Sequence, residues 1–148
     1  NGVEWPVIVL LGAMVPVGIA MENCGVNDLI ADNITSIIYL LPDWGLVFLI
    51  LTTAMLLSDI INNAATAILM SQLSIKIAER AEVSADPLLM AVAVGSSCAF
   101  LTPIGHQSNI LVMGPGGYRF GDYWRLGLPL EILIVFFSIP MILWIWPL

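Results

Sequence analysis

Ser58-Asp59-Ile60-Ile61-Asn62-Asn63-Ala64-Ala65-Thr66 interrupts an apolar run that extends from Gly45 to about Ala78. As one continuous membrane helix, the run would put a carboxylate and two carboxamides near the bilayer centre, where each unpaired polar group costs several kcal/mol. As a hairpin, the cost falls. The arms Gly45–Leu57 and Ala64–Ala78, at ~1.5 Å per residue, each reach roughly 20 Å, short of the ~30 Å hydrocarbon core. Both arms would stop inside the membrane, and the polar stretch would form the tip of a re-entrant hairpin. Non-helical backbone at that depth is tolerated only where it is buried in protein or lines a cavity, so the tip is predicted to belong to a binding site.

The composition points the same way. With 59% hydrophobic and only 10% charged residues, and a mean hydropathy of +0.99, the chain departs from an ordinary soluble domain, in which about 25% of residues are charged. It reads as an all-α integral membrane protein. The net charge of −7, from 11 acidic and 4 basic residues, sits mostly between the apolar segments and describes wet loops, with no nucleic-acid partner. Residue 1 is Asn, and Glu4 and Trp5 stand where a basic leader would be, so the start reads as truncated. Cys24 and Cys98 lie in different segments without metal or redox spacing and read as small apolar fillers. No Ser/His/Asp set has an interpretable spacing, so neither an enzyme nor a cofactor is expected.

In chain order, residues 5–22 predict a first span and residues 26–41 an amphipathic helix lying along the interface. Pro42-Asp43-Trp44-Gly45 is a turn with an aromatic anchor, and the hairpin (45–78) follows. A span over 88–113 is expected to break after about Leu101, because Thr102-Pro103-Ile104-Gly105-His106-Gln107-Ser108-Asn109 combines a proline, a glycine and five polar side chains. Residues 126–148 predict the last span, with Trp144 and Trp146 as its far aromatic belt. Arg119 and Arg125 against Asp122 place the preceding loop on the cytoplasmic side and the C-terminus outside.

Each break should present both unpaired N–H groups and unpaired carbonyls. Asn62 or Asn63 is a suitable N-cap for the second arm, and Ser108 for a short helix from Asn109. Together the two breaks would make a pocket for an anion beside a small cation, the design of secondary transporters with broken helices at the midplane. Plainer readings stand beside this one. Asn62 and Asn63 could simply bond a neighbouring helix. Asp59 reads as a proton carrier or as a capping or salt-bridging residue, and His106 as a packing residue or a ligand contact.

The stretch from Ser96 to Val112 resembles the signature of the divalent-anion:sodium symporter family, the sodium/sulfate and dicarboxylate carriers. It has the paired small residues Ser96-Ser97, Phe100, Pro103-Ile104-Gly105, three variable positions, Asn109 and an aliphatic ending at Leu111-Val112. Asn62-Asn63-Ala64 stands where the family carries Ser-Asn-Thr. The resemblance covers nearly the whole chain and implies the second of two inverted repeats: a span, a lateral helix, a hairpin, a broken helix and a last span. It implies a sodium site formed by Ser58, the Ile61 carbonyl, Asn63 and the Gly105 carbonyl, with Asn63, Ala64, His106 and Gln107 facing the anion. The implied partners are the N-terminal half of the same protein, a small anion, the bilayer and a second copy in a homodimer in the plasma (inner) membrane. Asn62 in place of Ser and Ala64 in place of Thr depart from the dicarboxylate carriers. The Gly105–Asn109 run is similar to the sulfate-permease branch, so sulfate is favoured. The alternatives are an arsenite or citrate permease, a Na⁺/H⁺ antiporter of the same superfamily, or a non-transporting sensor.

Overall fold

A computed structural model describes residues 42–103 and 105–148, with isolated positions between 9 and 29. The predicted first span (5–22) and lateral helix (26–41) fall outside the described residues apart from those positions. Among the described residues the chain is all helical, without strands: α1 (Asp43–Ile60), α2 (Asn63–Ala81), α3 (Asp86–Ser97), α4 (Gln107–Met113), a single 3₁₀ turn (Phe120–Asp122) and α5 (Tyr123–Ile145).

α1 starts directly after Pro42, whose carbonyl takes the Gly45 N–H at 2.7 Å. Leu46, Val47, Ile50, Leu51, Ala54, Met55 and Ser58 lie on one buried face, three to four residues apart. That face packs most extensively on α3, which presents Leu88, Ala91, Val92 and Gly95. Gly95 sets the closeness: a Cβ there would lie 2.6 Å from the Leu51 carbonyl oxygen and 2.8 Å from the Ala54 Cβ. α2 covers α3 with Met70, Leu73, Ile77 and Ala78.

α2 is capped at its start by Asn62, whose Oδ1 accepts from the Ala65 N–H at 3.1 Å. It closes at Glu82 in the left-handed conformation (φ 55, ψ 37), with the Glu82 N–H returning to the Ala78 carbonyl. The arms are longer than the sequence predicts, at 18 and 19 residues, or about 27 and 28 Å at 1.5 Å per residue. α1 continues through Ser58-Asp59-Ile60 because Ser58 and Asp59 turn their side chains to partners on other elements and do not compete for their own backbone.

α3 in turn ends at Ser97, four residues before the expected break at Leu101. The N–H groups of Phe100 and Leu101 are drawn off by carboxyl groups of other helices. α5 begins at Tyr123, three residues before the predicted start, and runs through Pro129 and Pro140. With the preceding turn it is the one helix among the described residues long and apolar enough to cross a membrane. Leu126, Phe136 and Trp144 project from it, each more than 70% exposed, whereas Gly127, Glu131 and Ile142 are buried against the rest of the molecule.

Candidate functional site

The site is built where the α1–α2 turn meets the unwound stretch between α3 and α4. Unwinding frees backbone groups, and several of them find side-chain partners. The Phe100 N–H donates to Glu131 Oε1 at 3.2 Å and the Leu101 N–H to Asp59 Oδ1 at 3.0 Å. Asn109 Nδ2 donates to the carbonyls of Ala99 and Thr102, both at 3.1 Å. The Thr102 hydroxyl donates to the Asp59 carbonyl at 2.7 Å and accepts from the Gly105 N–H at 3.2 Å. Asn109 is itself held from α5, where the Tyr123 hydroxyl donates to its carbonyl at 2.6 Å. Two glycines allow the approach. A Cβ on Gly105 would lie 3.0 Å from the Ser58 carbonyl oxygen, and one on Gly127 would strike the Phe100 carbonyl.

At the centre lie Ser58, Asn63, Ser96 and Gly105. Ser58, fully buried, brings its Oγ to 2.8 Å from the Ser96 carbonyl and 2.7 Å from the Asn63 carboxamide. Asn63 is half-buried in the first turn of α2. With its nitrogen turned inward, the amide donates to Ser58 Oγ and to the Gly105 carbonyl, both at 2.7 Å, and lies 3.3 Å from the Ser96 carbonyl. With its oxygen turned inward, four neutral oxygens converge: one hydroxyl, one carboxamide and two backbone carbonyls. Hard, uncharged oxygens in that number suit a small cation rather than a soft or transition metal. No group of three or more His, Cys, Asp or Glu that could hold a metal occurs among the described residues.

Residues 1–147 match the family model described as "Citrate transporter". The chain belongs to that citrate-transporter family. An uncharacterised transporter of Synechocystis sp. is 34% identical over 134 residues, 90% of this chain and 22% of that protein. A sodium-dependent high-affinity dicarboxylate transporter of Caenorhabditis elegans is 30% identical over 88% of this chain and 23% of its own length. A sodium/sulfate cotransporter of Chlamydomonas reinhardtii is 30% identical over 91% of this chain and 15% of its own. These matches bear out the resemblance to the divalent-anion:sodium symporters. The chain spans about a fifth to a quarter of the length of the first relatives it matches, and its family is one of integral membrane transporters.

Of the residues expected to hold a cation in this citrate-transporter chain, Ser58, Asn63 and Gly105 are brought together, and Ile61 lies at the α1–α2 turn with its N–H bonded to the Leu57 carbonyl. Of those expected to face an anion, Asn63 and Ala64 open α2, and Gln107 opens α4. His106 is exposed and caps α4: its Nδ1 accepts from the Ser108 N–H at 3.2 Å. The predicted Ser108 cap is thus replaced by His106, because the helix begins at Gln107 rather than Asn109. The sequence reading missed the Ser96 carbonyl, the bracing roles of Thr102 and Asn109, and Glu131. For Glu131 a signal was present: it is the one charged residue between Leu126 and Leu148, and an ionisable residue in a membrane span is a functional candidate by default.

Proposed function

We propose that this chain is the C-terminal repeat of a sodium-coupled secondary carrier, that it takes up a divalent oxyanion, with sulfate favoured over a dicarboxylate, and that it is not an enzyme. In this reading α1 and α2 form a re-entrant hairpin and α3 and α4 a broken membrane helix, and an inverted N-terminal repeat supplies the rest of the pocket. Sodium is held by Ser58 Oγ, the Ile61 carbonyl, the Asn63 carboxamide and the Gly105 carbonyl, and the anion is met by Asn63, Ala64, His106 and Gln107. The carrier lies in the plasma (inner) membrane as a homodimer with this chain's C-terminus outside.

The observation that carries the reading is the meeting of Ser58 Oγ, the Asn63 carboxamide and the Gly105 carbonyl, which come from two separate breaks, within 2.7 Å contacts. Relatives named as sodium-dependent dicarboxylate and sodium/sulfate carriers support sodium as the ion and a divalent anion as the cargo. Ala64, which lacks the hydroxyl of the dicarboxylate carriers, supports the choice of sulfate. Turning the Asn63 oxygen inward for the cation leaves its nitrogen free for the anion, so one side chain links the two ligands.

The test is sulfate binding by the complete purified protein across a sodium titration. Asn63→Ala is expected to weaken sulfate affinity and sodium affinity together, each by about ten-fold, within the usual range of site coupling. An asparagine that only bonds a neighbouring helix contributes on the order of 0.6 kcal/mol, and its loss changes stability without a selective effect on sodium dependence. A folded Asn63→Ala protein with unchanged sulfate affinity and unchanged sodium dependence ends the coupling role. Vesicle uptake separates the remaining readings: sodium-driven sulfate flux supports the carrier, and its absence with intact binding favours a sensor.

A further inference from the structure

Glu131 lies in α5, far along the chain from both breaks, yet it is only 6% exposed and reaches the unwound stretch directly. Its Oε1 takes the Phe100 N–H. Asp59 is 4% exposed, and its Oδ1 takes the Leu101 N–H, while its Oδ2 is buried with no N–H or hydroxyl partner among the described residues. Two carboxyl groups, one from α1 and one from α5, thus take consecutive N–H groups of the unwound stretch.

From Asp59 the contacts run on to the cation site. The Asp59 carbonyl accepts from the Thr102 hydroxyl, and that hydroxyl accepts from the Gly105 N–H. The carbonyl of the same Gly105 faces Asn63. The stretch that Glu131 holds at Phe100 therefore continues, through the Thr102 hydroxyl and the Gly105 backbone, to an oxygen of the candidate cation site.

We propose that Glu131 is a positioning residue for that site: by taking the Phe100 N–H beside the Leu101 N–H that Asp59 takes, it fastens the last helix to the unwound stretch and sets the Gly105 carbonyl toward the cation. Glu131 touches neither ligand and acts through Phe100 and the Thr102 that follows it. The role of the cation rests on the sodium reading above, whereas the brace itself does not.

The experiment uses the complete protein with Cys98 as its one thiol, since this native half-buried cysteine opens the unwound stretch. Two quantities are read: the sodium concentration for half-maximal sulfate binding, and the rate at which a thiol reagent labels Cys98. Glu131→Met, close in size and unable to bond, is expected to raise both by about ten-fold while sulfate affinity at saturating sodium stays within about two-fold. Glu131→Gln keeps an acceptor for the Phe100 N–H and Asp59→Asn one for the Leu101 N–H, and both are expected to remain near wild type. An unchanged labelling rate in Glu131→Met overturns the brace. So does a Glu131→Gln protein as impaired as Glu131→Met, which would assign the effect to charge rather than hydrogen bonding. If the Met variant does not fold, the two amide variants decide alone, since impairment in either contradicts a brace made by accepting backbone N–H groups. A parent protein without sodium dependence removes the sodium reading, and Cys98 labelling then still judges the brace.

Discussion

The two interruptions of this chain are held in opposite ways. Between α1 and α2 only Ile61 and Asn62 are non-helical, and the turn is secured from within: the Ile61 N–H returns to the Leu57 carbonyl and the Asn62 side chain caps the helix it precedes. Between α3 and α4 the non-helical stretch runs from Cys98 to His106, and its backbone groups are taken up by Asp59 of α1, Glu131 of α5 and Asn109 of α4. A short break can be self-sufficient. A long one depends on side chains from elsewhere, so its shape depends on how the helices are assembled.

The sharpest way to break this contrast is at the assembly. Gly127→Val would drive a side chain into the Phe100 carbonyl, and backbone cannot retreat as a side-chain tip can, so a loss of about 3 kcal/mol or more is expected. Gly121, with nothing within 4 Å of a notional Cβ, is the control, and Gly121→Ala should stay within about 0.5 kcal/mol. Thermal unfolding in detergent measures both, and comparable losses in the two would show that Gly127 is not a docking point.

A smaller loss is expected from Asn109→Ala, which leaves the Ala99 and Thr102 carbonyls without their shared donor. At ~1–3 kcal/mol for a buried group left unpaired, partly offset by water, about 2 kcal/mol is expected. Hydrogen exchange should rise across residues 98–106 and stay unchanged at the α1–α2 turn; a rise at both would mean that the two breaks are one cooperative unit.

The smallest effect belongs to the self-secured turn. Asn62→Ala removes a single cap, at a cost of about 1 kcal/mol, and should leave exchange in the longer break as it was. A loss as large as that of Asn109→Ala would contradict the idea that this turn needs little from outside.

The same division explains what the sequence disclosed. Asn62 as a cap and the interruption near Thr102–Asn109 follow from residue type and short spacing, and the meeting of Ser58 with Asn63 was implied by the family resemblance. The ends of the helices do not. α1 runs on to Ile60 because Ser58 and Asp59 find partners on α3 and in the unwound stretch, and α3 stops at Ser97 because two carboxyl groups from other helices take the N–H groups that would have extended it. Those partners lie 31 to 42 residues away, beyond any local pattern. Glu131 was visible as an isolated charge in an apolar span, but nothing near it in sequence indicates what it bonds.

Gly95 bears on how such a molecule could move. With the Leu51 carbonyl and the Ala54 methyl pressed against its bare Cα, α1 and α3 have no side-chain layer between them at that point to act as a lubricant. Sliding or rolling one past the other would drive methyl groups into backbone, so the two helices form a single lever. The hairpin turn hangs from one bar of that lever and the long break from the other, so a rigid displacement carries both ends together and keeps the distance between them.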